Sequence, residues 1–155
     1  MESALQLANR FREVILNGKW IANTNCNSQL SNVSFEQSIQ RISSLNTIYA
    51  LTFHINYYVA GILNVFEGGK LEIKDKFSFD FPEPKSSKDW DNLREELYLN
   101  GEKFTKLIEQ MSDDKLTDKF VKEEYGTYHR NINAIIEHSY YHLGQISLIK
   151  KLINE

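Results

Sequence analysis

Pro82 and Pro84 are the only prolines in this 155-residue chain, and they stand almost side by side. A proline inside a helix costs about 3 kcal/mol, through a lost hydrogen bond and a steric clash. Everything on either side of this pair is therefore free to be helical. No internal repeat or low-complexity tract competes with that reading. The length suits one domain spanning residues 1–155, large enough to bury a sizeable core.

Four main helices are expected. The first runs from about Ser3 to Leu16, with Leu5, Ala8, Phe11 and Ile15 at turn-like spacing and Asn17-Gly18 as its stop. A polar stretch carrying Trp20 and Cys26 follows. Ser34, with Gln37 as its capping-box partner, opens a long second helix that ends at Gly68-Gly69. Ser86 or Ser87 caps the third, which reaches about Met111 and is interrupted by Gly101. The segment from Asp118 to Gly126 reads as irregular or weakly extended. Thr127 caps the fourth helix, which continues to about Ile153. Between the second and third helices lie roughly 17 residues, where a simple hairpin uses about 2–8. That length suits a crossover to the far end of a bundle, making helices two and three parallel and helices two and four opposed.

Composition excludes several classes. A net charge of -3 with interspersed signs offers no electrostatic footprint for nucleic acid. No apolar run reaches the roughly 20 residues that span a bilayer. Met1-Glu2-Ser3 lacks the basic start of a signal peptide, and a single cysteine precludes an internal disulfide. The expected address is the cytoplasm, with no membrane partner.

Within the fourth helix, His138 and His142 are four residues apart and so share one face, about 5–6 Å from each other. Both rings can then reach one ion at the usual metal–nitrogen distance of about 2.0–2.1 Å. Gln145 lies on the same stripe, about 20° from His138. Ile135, Ile149 and Leu152 share it, which turns the histidines inward. His54 lies about 13 residues before the end of helix two, and the pair lies about 10 and 14 residues into helix four. With those helices antiparallel, a rise of 1.5 Å per residue brings all three imidazoles to about the same depth. Small and polar neighbours on the His54 stripe (Ser43, Thr47, Ala50, Gly61) leave room for a cavity. His129 falls about 180° round from His138 and reads as a surface residue. A set of core histidines that merely hydrogen-bond one another is the competing reading.

The segment Leu51-Thr52-Phe53-His54-Ile55-Asn56 and the ending His138-Ser139-Tyr140-Tyr141-His142-Leu143-Gly144-Gln145-Ile146 resemble the DinB-like superfamily of bacterial metal-binding four-helix bundles. Trp20, the aromatic crossover and Trp90 are weaker points of likeness. The resemblance covers essentially the whole chain. It implies an all-α, up-down-down-up four-helix bundle with a long crossover between helices two and three. It also implies a divalent metal, zinc or nickel, on His54, His138 and His142, and a homodimer. Relatives include thiol transferases using low-molecular-weight thiols, isomerases and amidase-like hydrolases.

Three neutral nitrogens plus an open position match catalytic zinc rather than a closed structural site. Such an ion lowers the pKa of bound water to about 7 or deprotonates a coordinated thiol. Gln145, Tyr57, Tyr58 and Tyr141 are the candidates to orient a ligand or brace a histidine, though for each tyrosine a buried ring with a satisfied hydroxyl is the favoured reading. The resemblance implies, as the expected function, a metal-dependent transferase or hydrolase that activates a thiol or water on a small molecule. The alternative is a non-catalytic, stress-related protein that holds a metal or small ligand.

Overall fold

Polar side chains start each long helix in the computed structural model, which describes residues 2–155. Ser3 accepts from the Gln6 amide and the Gln6 side chain returns the bond, opening α1 (Ala4–Arg12). The helix widens at its exit into a π-helical turn, Glu13–Asn17, closed by the Gly18 N–H on the Glu13 carbonyl five residues back. Thr47 opens α4 (Ile48–Phe66) by accepting from the Ala50 amide. Ser86 donates its N–H to the Asp89 carboxylate at 2.9 Å and opens α5 (Ser87–Glu109). Thr127 accepts from the Arg130 amide and opens α7 (Tyr128–Ile153). Three short helices, α2 (Cys26–Leu30), α3 (Phe35–Ile39) and α6 (Asp113–Thr117), complete an all-helical architecture with seven α-helices among the described residues, four of them long. Among the described residues, strand pairing amounts to one isolated bridge between Lys119 and Thr127.

The expected second helix is two helices. Ser34 and Gln37 do form the capping box, but the helix they start, α3, stops at Ile39. Gln40 turns extended, Ser43 takes a left-handed φ of 50°, and Thr47 begins α4 afresh. A capping box specifies where a helix starts and says nothing about its length. Ser43, Ser44, Asn46 and Thr47 have side chains that compete for backbone partners, which favours caps and turns over helix interiors. Ser43 and Thr47 therefore leave the helical stripe of His54. At the far end the Gly68 stop holds, with φ of 91°.

The long helices meet through ordered pairs. Between α4 and α5, Tyr49 faces Trp90, Asn56 accepts from Asn100, and Phe66 stacks on Phe104, the two series rising together. Between α4 and α7 the series oppose: Phe66 meets Tyr128 at one level, and His54 meets His138 and His142 at another. Against α1, Phe11 packs edge-on to Phe104 at 4.7 Å. Gly101, which threatened the third helix, instead lets the π-helical turn after α1 approach: a Cβ there would lie 2.9 Å from Ile15 Cγ2. Trp90, Phe11, Phe104, Leu7 and Ile132 are fully buried at the centre. Each such side chain contributes on the order of 1.5–3 kcal/mol. Trp90 also donates Nε1–H to the Val33 carbonyl at 2.8 Å, tying the N-terminal loops to α5.

The connection from α4 to α5 is a crossover laid along α4. Tyr57 Oη donates to the Lys74 carbonyl at 3.0 Å and accepts from the Lys74 amide at 2.9 Å. Further along, Ser78 reaches His54, and Phe81 packs on Phe53 and Tyr49. The chain thus retraces α4 from its end to its beginning before α5 starts. Gly61 makes that approach possible, since a Cβ there would come within 2.4 Å of Ile73. None of the helices is long and apolar enough to cross a membrane among the described residues.

Candidate metal centre

Helical spacing brings the His138 and His142 rings to 4.5 Å between centroids, and the antiparallel neighbour α4 adds His54. The three Nε2 atoms converge. His138 Nε2 lies 3.0 Å from His54 Nε2 and 3.1 Å from His142 Nε2, and the ligating atoms of all three lie within 4.8 Å of one another. His54 and His142 are buried, and His138 is half-buried.

The other ring nitrogens decide the protonation. His54 Nδ1 is 3.2 Å from the Ser78 carbonyl, which can only accept, so Nδ1 carries the proton. His142 Nδ1 donates to Gln145 Oε1 at 2.6 Å. Both rings, as neutral tautomers, therefore aim Nε2 lone pairs at the centre of the cluster. His138 can supply one Nε2–H between those two acceptors, which leaves lone pairs in surplus. A cation satisfies all three at once. Two nitrogens held about 2.0–2.1 Å from one ion sit about 2.8–3.4 Å apart over octahedral to tetrahedral angles. The observed separations of 3.0 and 3.1 Å fit that range.

Electrostatics keeps the rings neutral. Burial pushes the His138 pKa down to about 4, with His142 and His54 adding to the effect. Burial likewise lowers His54, helped by His142, and lowers His142 against the raising effect of Gln145. Neutral imidazole is the form that binds a metal.

The other candidate residues separate into three groups. Gln145 braces His142 directly. Tyr58 stands edge-on to His54 and His138, with centroids 5.1 and 4.9 Å away, and donates its hydroxyl to the Asp75 carboxylate. Burial and that bond to Asp75 push the Tyr58 phenol up to about 12. Tyr141 is exposed and lies edge-on to His142 at 4.9 Å, on the rim. Tyr57 is outside the cluster, its hydroxyl committed to the Lys74 backbone. His129 sits beside Asn133, away from the three rings, and Glu137 is exposed and paired with Arg130. Cys26 is fully buried, which raises its thiol to about 12 and keeps it inert. Trp20 is 87% exposed and touches no part of the centre's hydrogen-bond network.

Three contributors come from the crossover: the Ser78 carbonyl, Phe79 and Asp75. Phe79 stacks on His54 at 4.1 Å with only 10° between planes. A backbone carbonyl carries no sequence signal. The alternation Phe77, Phe79, Phe81 in a polar connection was the available hint, and it does not say which ring meets a histidine. Beside the cluster opens a cavity of about 630 Å³, walled mainly by apolar side chains of α4, the crossover, the 118–126 segment and α7.

Comparison of the chain with protein families, with curated proteins and with solved structures returned no match.

Proposed function

We propose that His54, His138 and His142 hold a divalent transition metal, zinc or nickel, in a metal-dependent enzyme that activates a thiol or water on a small molecule. The reading rests on one observation above the rest. Two histidines commit Nδ1–H to acceptors outside the cluster, and their Nε2 atoms each lie within 3.1 Å of the third. Among the described residues it is also the one group of three or more potential ligating side chains close enough to share an ion. When bound, such an ion lowers the pKa of a coordinated water or thiol.

The residues divide the work. Ser78 and Gln145 orient His54 and His142. Phe79 covers the outer face of the His54 ring. Tyr58 steadies Asp75 at the side of the cluster, and the apolar walls of the cleft exclude water from the ligand's body. DinB-like membership is part of the proposal. The ordered pairs between α4 and α5, and the opposed pairs between α4 and α7, support its up-down-down-up bundle. Homodimerisation and a cytoplasmic address belong to the same proposal and rest on the resemblance and the sequence. A second reading, a non-catalytic protein holding a metal or small ligand, is favoured by one contact. Asp75, the one carboxylate lining the cleft among the described residues, is already engaged by Tyr58 rather than free as a base.

Elemental mass spectrometry on untagged protein, wild type against His138→Ala, tests the proposal. Near-stoichiometric zinc or nickel in the wild type, lost in a variant whose circular dichroism is unchanged, is the expected result. A metal-free wild type that also refuses added zinc and nickel would end the enzyme reading.

A further inference from the structure

Beside the histidines, the cavity of about 630 Å³ is large enough for a ligand of moderate size. Its walls are Ile62 of α4, Leu71 and Ile73 of the crossover, Phe120 of the 118–126 segment, and Ala134 and Ile135 of α7. Among the described residues, Asp75 is the one carboxylate-bearing side chain in this lining. The Asp75 carboxylate is fixed by the Tyr58 hydroxyl, and the Tyr58 ring lies against His54 and His138. The carboxylate therefore stands beside the cluster, at the edge of a mainly apolar cleft that Tyr125, Asn131 and Tyr141 also line.

We infer that this cleft selects a ligand with an apolar, uncharged or cationic body, whose donor atom reaches the histidine-held ion and whose body carries no acid. The inference rests on the metal reading above and deepens it to a substrate class. An apolar body gains by leaving water for the walls. An acidic body loses twice: its carboxylate would be desolvated among isoleucine, leucine and phenylalanine, and it would face Asp75. No lysine or arginine lines the cleft to compensate. Small hydrophilic thiols gain nothing from the walls.

Cobalt(II)-loaded protein makes the selection visible, because a coordinated thiolate gives a sulfur-to-cobalt absorption band. On binding, the sulfur–cobalt bond forms and the thiol proton leaves to buffer. Three probes suffice: phenylmethanethiol, its acidic counterpart 4-(mercaptomethyl)benzoate, and 2-mercaptoethanol. Phenylmethanethiol is expected to bind at least tenfold more tightly than either of the others. Asp75→Asn is expected to narrow the gap between the first two several-fold. Ala134→Trp, which fills the cleft one turn before His138, should abolish the preference for phenylmethanethiol while cobalt stoichiometry is kept. Equal affinities for the three probes, or tighter binding of the benzoate, would overturn the substrate class with the metal site intact. Protein that takes up no cobalt at all would bring down the metal reading itself, and the selection with it.

Discussion

On α7, two histidines of the cluster and one brace come from a single continuous helix: His138, His142 four residues on, and Gln145 three further. On α4, His54 has no such help from its own helix. Its acceptor, the Ser78 carbonyl, lies 24 residues away in sequence, and the ring stacked on it, Phe79, is the next residue along. The α7 half of the centre is assembled as soon as the helix forms. The α4 half is assembled only when the crossover has been laid back along α4. Local geometry costs little entropy to set up, whereas a contact across a long loop requires closing that loop first. The difference identifies the crossover as the part of the molecule that completes the centre.

Acid should erase the difference altogether. In metal-free protein the folded-state pKa values of all three histidines are depressed, that of His138 to about 4, while an unfolded chain titrates near 6.5. The unfolded state therefore binds more protons between those values. Stability is fully present above about 6.5 and is lost as pH falls towards about 4. Protons compete with metal for the same Nε2 atoms. Bound metal should thus be released completely between pH 7.5 and 4.5, followed by metal analysis after dialysis. The urea midpoint of the metal-free protein should fall over the same range. A flat midpoint would contradict neutral buried rings.

Within the α7 half, Gln145→Ala removes the acceptor for His142 and frees the ring to turn. Bracing partners of this kind are worth about 10–100-fold in metal affinity. A competition titration with a chelating dye should register that loss, with helicity unaltered. Within the α4 half, Phe79→Ala removes a stacking contact worth about 0.5–1.5 kcal/mol and leaves the Ser78 carbonyl in place. The same titration should show a loss of about 2–10-fold, smaller than for Gln145. A Phe79 effect that exceeded the Gln145 effect would invert the comparison and make the crossover the dominant brace.

The smallest change is expected from Tyr57→Phe. It deletes both hydrogen bonds to Lys74 and loosens the crossover from α4, at a cost of about 1 kcal/mol in stability. Metal stoichiometry should be retained, because Tyr57 touches no ligand. Denaturant unfolding combined with metal analysis separates the two outcomes.

Legibility follows the same division. Ser3, Ser34, Ser86 and Thr127 are caps that act within four residues, and each opens a helix where its sequence places it. The i, i+4 spacing of His138 and His142 is equally local. The break between α3 and α4 was not legible, because a run of Ser, Asn and Thr can either cap or continue a helix, and packing decides which. Tyr57, a candidate for the site on sequence, faces the crossover backbone instead.

By itself, then, the sequence determined the helix starts at Ser3, Ser34, Ser86 and Thr127, the paired histidines with Gln145, and a connection too long for a hairpin. Those features depend on dihedral preference, helical periodicity and chain length, all readable within a few turns. Only the tertiary structure decided how closely the His54 ring meets the pair, that the Ser78 carbonyl would set its tautomer, and that Asp75 would stand at a mainly apolar cleft. Each of those depends on where the crossover lies against α4, and that placement is the outcome of packing between residues distant along the chain.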